Sequence, residues 1–561
     1  MDKLLFHYEQ ELSKLRQTSQ SFAQHHPQVA NRIQLDSDPE VERLMQAIAL
    51  LNARTAARID DQYAGFTSAL LAGQPLLRPF PACAIAQIDY GNAKPNTISN
   101  GSCIPRGAML KSTGNPVCKF RTAYDIHIAP LTIADFRLTA IDVPSALRLP
   151  DHASTSLRLS IESTSTSKPI SSEQPLRMYV NGAPSQSAAM MDTILMRTLC
   201  VCVEADNQWT MLPSSPFRQV GLSDSEALLP SASNSRLLSE YFCFPEKFNF
   251  IDIDLLTIAP LAPRTNRLAL HLILPGASDI LRSVTRRNIL LGCTPIINLF
   301  AHRAAPIKLD ATATAYTIIP DQLPDAEIYS IDGVSLLSRS EALTEFSQFE
   351  KCGNGTNYWS ATSEEGNHES VSLIDHFQTP ISLAKGALSV QLTCTNGDQP
   401  RSLLCDSKHT VLVTEVNTSG FPVNLIQGPT AIQPIAANAK QWKMISQMTE
   451  LPGISQLIEL LDLHAPPDRS AIGHLLQGLR SLEYRSSSTW ISRRYAHGLE
   501  VRLTINEEAF NERSIYSFAQ LMQALFIRHV HSTQYMQLIM LSASGTELLR
   551  GAPAIGIRCL I

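Results

Sequence analysis

The side chains in this sequence that could hold a metal, move a proton or attack a carbon are few, and their spacing works against them. Cys200 and Cys202 would share a face on a strand, but no second Cys/His pair lies near them to complete a four-ligand zinc site. Eleven cysteines, an odd number scattered from Cys83 to Cys559, form no disulfide framework and read as buried reduced thiols. His529 and His531 stand two apart at the end of an expected helix, so they point away from each other. The adjacent acids Asp60-Asp61, Glu364-Glu365 and Glu507-Glu508 read as solvated faces. Gly353-Asn354-Gly355-Thr356-Asn357-Tyr358 begins like a dinucleotide loop, yet it lacks the third glycine and a preceding strand. No Gly-Lys-Ser/Thr phosphate loop, Gly-x-Ser-x-Gly elbow or His-Glu-x-x-His helix occurs. The reading is a non-enzymatic chain with no catalytic, cofactor-binding or metal-ligating residue to nominate, and with no small-molecule substrate.

What the chain concentrates instead is apolar surface. Tyr241-Phe242-Cys243-Phe244-Pro245-Glu246-Lys247-Phe248-Asn249-Phe250 is its densest aromatic run, in a sequence that is 6% aromatic. Each of those rings has ~1.5–3 kcal/mol to gain on burial. Past Pro245 the run leads into a strand through Phe248, Phe250, Ile251 and Ile253, and Leu268 to Leu274 alternate as another. The stretch closes with Leu291-Gly292-Cys293-Thr294-Pro295-Ile296-Ile297-Asn298-Leu299-Phe300. Tyr241, Phe242, Phe244, Pro245, Phe248, Phe250, Cys293, Pro295, Asn298 and Phe300 are therefore expected to secure the fold.

With 561 residues, 44% hydrophobic and 17% charged, the chain is globular and too long for one core. A net charge of -5 with no basic run argues against nucleic-acid binding. The N-terminus has no secretory pattern, and the most apolar run, Ile289 to Phe300, is far shorter than the ~20 residues of a spanning helix. A cytoplasmic protein without direct membrane insertion is expected.

The elements that must carry this surface follow from periodicity. Leu5, Tyr8, Leu12, Leu15 and Phe22 recur at helical spacing, and Asp38-Pro39-Glu40 opens a second, much longer helix. The fold class is thus α+β and multidomain: an N-terminal long-helix hairpin or bundle segment over 1–78, a β-rich core domain over 79–310, a second β-rich, wing-like domain over 311–436 and a small C-terminal α+β domain over 437–561. Within these, Ser154–Ser172 reads as an exposed connection or edge hairpin, Gly353–Ser370 as a polar loop, Gln427–Ala439 as a linker and Ile472–Leu482 as a helix.

"LLSEYFCFPEKFNFIDI" followed by "LGCTPIINLF" strongly resembles the TssF (VasA/ImpG) family of the bacterial type VI secretion baseplate. Further matching segments stand in the same order: "YEQELSKLR" at 8–16, "FAQHHPQVANRI" at 22–33, "DPEVERLMQAIALLNAR" at 38–54, "IPRGAMLKS" at 104–112, "GLSDSEALLP" at 221–230, "CTNGDQP" at 394–400, "GLEVRLTINEEAF" at 498–510 and "PAIGIRCLI" at 553–561. The chain departs from the family pattern around 346–366 and 442–464.

The resemblance implies a phage-baseplate-wedge-like structural subunit without catalysis. It implies two copies of this chain around one TssG, with TssK, TssE and the VgrG spike as further partners, priming polymerisation of the contractile tail at the cytoplasmic face of the bacterial inner membrane. Leu5, Tyr8, Leu12, Leu15 and Phe22 are the partner-interface candidates, although the same stripe could close an intramolecular seam. The alternative reading is a β-rich surface- or carbohydrate-binding module of a phage-like particle, which would need exposed aromatic platforms in a concave site, whereas Trp209, Trp359, Trp442 and Trp490 are isolated in sequence. A third is a hydrolase whose site no motif announces.

Overall fold

The computed structural model describes residues 3–25, 39–71, 78–90, 102–114, 117–164, 170, 174–230, 234–261, 266–310, 312–337, 343–349, 357–364, 368–375, 379, 381, 386–404, 411–414, 416, 418, 421–433, 451–466, 470–491 and 494–557. Its architecture is mixed α+β with strands dominant. Two compact units separate: residues 1–73 with 437–442, and the remainder.

The first unit is built on helix α1, Lys3–His25, and helix α2, Pro39–Leu71. Pro39 suits the first helical position, and Glu40 and Glu42 in the first turn complement the positive helix end. The helices run antiparallel, because Arg16 pairs with Glu42 while the earlier Glu11 accepts from the later Asn52 at 3.4 Å. Ala49 and Ala53 are fully buried in α2, where their small side chains let the helices approach.

The second unit contains a closed six-stranded barrel, five-, four- and eight-stranded sheets, and a C-terminal sheet flanked by helices. Period-two sequence produces these strands because one face of each is buried. In Thr155–Ser163, Leu157, Leu159 and Ile161 are buried, as are Ser156 and Ser160. Thr155–Ser163 is accordingly an internal strand between Leu131–Thr139 and Arg267–Leu274, not an exposed connection, whereas 165–169 and 171–172 of the Ser/Thr-rich stretch lie outside the described residues. The polar stretch after Gly353 likewise contains a paired hairpin, Tyr358–Glu364 with His368–Ile374, anchored by buried Trp359, Val371 and Leu373.

The barrel is closed by strands distant in sequence. Cys83–Ile88 pairs on one side with Cys293–Ile297 and on the other with Val423–Gln427, while Val411–Thr414 pairs with Met109–Ser112. Its last two strands thus come from beyond residue 310, and the stretch expected as a linker begins with a strand residue, Gln427, and continues through Thr430 and Gln433 bonded to the backbone of Cys83 and Phe80, while 434–439 lie outside the described residues.

In the C-terminal sheet, helices Ile454–Leu463, Ser470–Gln477 and Ile515–Phe526 contribute to one core with Val501, Leu503, Ile505, Leu538 and Met540. The helix expected over Ile472–Leu482 stops at Gln477. Gly478 follows, and Leu479 begins a 13-residue strand whose alternating burial reads as a sheet edge.

Candidate functional site

The stretch Ile289–Arg303 passes through three sheets in succession. Ile289–Leu291 pairs in the four-stranded sheet, Cys293–Ile297 in the barrel and Phe300–Arg303 in the eight-stranded sheet. Gly292 makes the first transition at φ +73°, where a Cβ would stand 2.6 Å from the Ile88 carbonyl oxygen, so glycine is required there.

Asn298 makes the second transition. Its Nδ2 donates to the Lys119 carbonyl at 2.7 Å and to Asn396 Oδ1 at 2.9 Å, while its Oδ1 accepts from Thr395 Oγ1 and the Asn396 amide, both at 2.7 Å. All four hydrogen-bonding positions of a fully buried amide are filled. "LGCTPIINLF" and "CTNGDQP" are thereby joined.

The aromatic run divides its rings among neighbouring cores. Tyr241, Phe242 and Phe248 pack with the C-terminal helices, Phe244 and Phe250 with Tyr124, Tyr179, Cys83, Cys293 and Ile297, and Phe300 with the eight-stranded sheet. Nine of the ten expected fold-core residues are buried, and Pro245 is half-buried at the start of a 3-10 turn.

Sequence reasoning missed the buried charges in and just before that run. Glu240, Lys247 and Arg236 are fully buried. Glu240 accepts from the amides of Leu228 at 2.9 Å and Leu229 at 3.1 Å, and pairs with Lys247 and Arg236. Lys247 Nζ also donates to the Gly221 carbonyl at 2.7 Å, and Arg236 reaches Asp224 at 2.6 Å. Burial presses the Lys247 ammonium below its usual range against the pull of Glu240.

From the other side Arg106 donates to the carbonyls of Ser225 and Ala227, and Arg121 to that of Leu228 at 2.9 Å. Residues 221–230 are therefore held through their backbone by "IPRGAMLKS" and "LLSEYFCFPEKF" together. The available signal was a pair of charges, Glu240 at the edge of the most aromatic segment of the chain and Lys247 within it.

The C-terminal module is fastened by Asp192. This buried carboxylate accepts from Ser514 Oγ at 2.6 Å and from the Ile515 and Tyr516 amides at 3.1 and 3.0 Å, capping helix Ile515–Phe526. Burial raises its pKa, and these three donors oppose the rise. Beside this cap lies a polar cavity of about 310 Å³ bordered by Tyr179, Tyr241, Glu246, Gln427, Arg513 and Ser517. Among the described residues no group of three His, Cys, Asp or Glu side chains is placed to hold a metal, and no helix is long and apolar enough to cross a membrane. Cys200 and Cys202 lie on one strand with both thiols raised by burial.

On the helical hairpin Leu5 is exposed, Tyr8, Leu12 and Leu15 are half-buried, and the Phe22 side chain lies outside the described residues. A more open apolar stripe runs along α2, where Leu44 and Leu51 are 61% and 63% exposed with Ile48 between them. Their i, i+4, i+7 spacing puts them on one face.

These features join and orient neighbouring sheets and helices. A sequence model described as "Type VI secretion system, TssF" matches residues 1–558. The type VI secretion system component TssF1 of Pseudomonas aeruginosa is 27% identical over 98% of this chain and 98% of its own. A chain in the cryo-electron microscopy structure of a type VI secretion TssK-TssF-TssG baseplate subcomplex superposes with a TM-score of 0.73 at 20% identity, covering 92% of this chain and 99% of that one. One in the baseplate complex of the type VI secretion system does so with a TM-score of 0.58 at 18% identity, covering 99% and 100%. The match of that family model over residues 1–558 shows that this chain belongs to the TssF family of the type VI secretion system.

Proposed function

We propose that this chain is a structural, non-enzymatic subunit of the type VI secretion baseplate. The observation that carries the reading is the likeness, over nearly its full length, to a chain of a TssK-TssF-TssG baseplate subcomplex. The domain plan suits the role. A hairpin with an open apolar stripe offers a partner helix a seam to complete, and β-rich modules fastened by buried polar contacts transmit load without unfolding locally. In this reading two copies surround one TssG, TssK docks on the resulting wedge, and TssE and the VgrG spike join as the platform primes tail polymerisation at the cytoplasmic face of the inner membrane. Leu5, Tyr8, Leu12, Leu15 and Phe22, with Leu44, Ile48 and Leu51, contribute to the partner seam. Tyr241–Phe250 and Cys293–Phe300 maintain the fold.

Co-expression with TssG, followed by size-exclusion chromatography with light scattering, tests the reading. Co-elution as one species of higher mass than either protein supports it, and separate elution of two folded proteins refutes it. The carbohydrate-binding alternative is less well supported: Trp359 is buried, Trp209 lies tilted against His271 with centroids 4.6 Å apart, and Trp490, 70% exposed, meets Tyr495 edge-on and not side by side, while Trp442 lies outside the described residues.

A further inference from the structure

Leu479–Ile491 and Arg494–Ile505 form a long antiparallel hairpin at the edge of the C-terminal sheet. The third strand, Tyr535–Ser542, runs beside it only from Gly498 to Ile505. Four cross-strand pairs, Ser488–His497, Thr489–Ala496, Trp490–Tyr495 and Ile491–Arg494, therefore extend past the sheet and, among the described residues, pair only with each other in the ladder. At ~3.4 Å per residue this arm projects ~13 Å. Gly498 marks its root, where a Cβ would stand 2.1 Å from the Tyr535 carbonyl oxygen.

Side chains alternate along the hairpin, and one face can be followed outward. Leu482, Tyr484 and Leu499 pack on the helical core, and Val501 and Leu503 are buried in it. The same face continues along the arm as Ser486, Ser488 and Trp490 on one strand and His497 and Tyr495 on the other. Beyond the core it ends in rings: Trp490 is 70% and Tyr495 58% exposed, with centroids 5.6 Å apart, and His497 lies 5.4 Å from Tyr495. A two-stranded ribbon is marginal by itself. Large rings displayed at its tip gain most of their burial energy only against another surface.

Ring geometry and charge select the occupant. Sugar-binding platforms present ring faces side by side, whereas here the planes stand at 62° and 82° to one another and make a ridge. The hairpin from Leu479 to His497 carries Arg480, Arg485, Arg493 and Arg494 against Glu483, a net +3 within a chain of net -5. We propose that this arm docks into an apolar groove with an acidic rim on another protein subunit of the baseplate, Trp490 and Tyr495 entering the groove and the arginine-rich hairpin meeting the rim. This rests on the assignment to the baseplate made above.

The test is amide hydrogen exchange over Ser486–Leu499 in the full chain alone and in complex with TssG and TssK, paired with affinity measurements on Trp490→Ser/Tyr495→Ser. Both residues are exposed, so the variant retains its fold. Protection of the arm by at least tenfold on assembly, with a tenfold or greater loss of affinity in the variant and weaker binding of both wild type and variant at higher ionic strength, is the expected result. A complex that forms with the arm unprotected, or with variant affinity equal to wild type, overturns the docking role and leaves the baseplate assignment standing. Failure of any complex to form removes the baseplate assignment and this inference with it. Exchange protection by a soluble oligosaccharide in place of the protein partners also overturns it.

Discussion

Asn298 and Asn396 lie side chain to side chain, the Nδ2 of the first donating to the Oδ1 of the second at 2.9 Å while the Asn396 amide returns a bond of 2.7 Å to Asn298 Oδ1. The pair ties the end of a barrel strand to the end of a strand in the eight-stranded sheet. Asn298→Asp keeps the volume but removes both donors, leaving carboxylate oxygens against the Lys119 carbonyl and Asn396 Oδ1. The expected loss is about 3 kcal/mol of unfolding free energy, read as a lowered urea midpoint at pH 7.

Glu240 and Lys247 form the second tie. Breaking a buried pair by removing one partner costs about 3–5 kcal/mol, and Glu240→Gln also weakens the hold on the Leu228 and Leu229 amides. Native-state hydrogen exchange should show those amides among the first to lose protection. Lys247→Met removes the ammonium from the same network and is expected to destabilise comparably, while leaving Glu240 paired with Arg236.

His464 predicts a pH response. Its ring is fully buried beside Ser239 Oγ at 2.9 Å, and burial lowers its pKa to about 3 from an ordinary 6.5. Between those values the unfolded chain binds a proton that the folded chain does not, so this group's contribution falls as pH drops from 6.5 and is recovered as pH rises. From pH 7 to pH 5 it removes about 2 kcal/mol. His464→Asn should flatten the stability difference between those two pH values by that amount, measured by urea unfolding at each.

The outer stripe of α2 makes a contrasting prediction. Leu44→Asp and Leu51→Asp, at highly exposed positions, are expected to change stability by less than about 0.5 kcal/mol and to weaken TssG binding at least tenfold. Leu12→Asp should leave the protein folded and also weaken assembly. Circular dichroism checks the first statement and a binding titration the second. Phe244→Asp, in contrast, places a charge in a fully buried site and should lower soluble yield.

Much of the local structure is readable from period and composition. Leu268 to Leu274 alternate and form a strand, and the aromatic density at 241–250 announces burial. Less readable is everything that depends on distant pairing. Nothing local tells Val411–Thr414 and Val423–Gln427 that they complete a barrel begun at Cys83. Apolar residues at Ile472, Leu475, Leu476, Leu479 and Leu482 fit a helical seam, yet the chain turns into a strand at Leu479 because Gly478 lies close against Ala509 and the Leu475 carbonyl. Glu240 and Lys247 look like solvated helix charges until the 221–230 backbone is seen to supply their partners.

The most direct test of the assembly role is native mass spectrometry of this chain expressed alone and then with TssG. The account predicts a discrete complex holding two copies of this chain and one of TssG. A stable monomer whose mass is unchanged by the partner would contradict it.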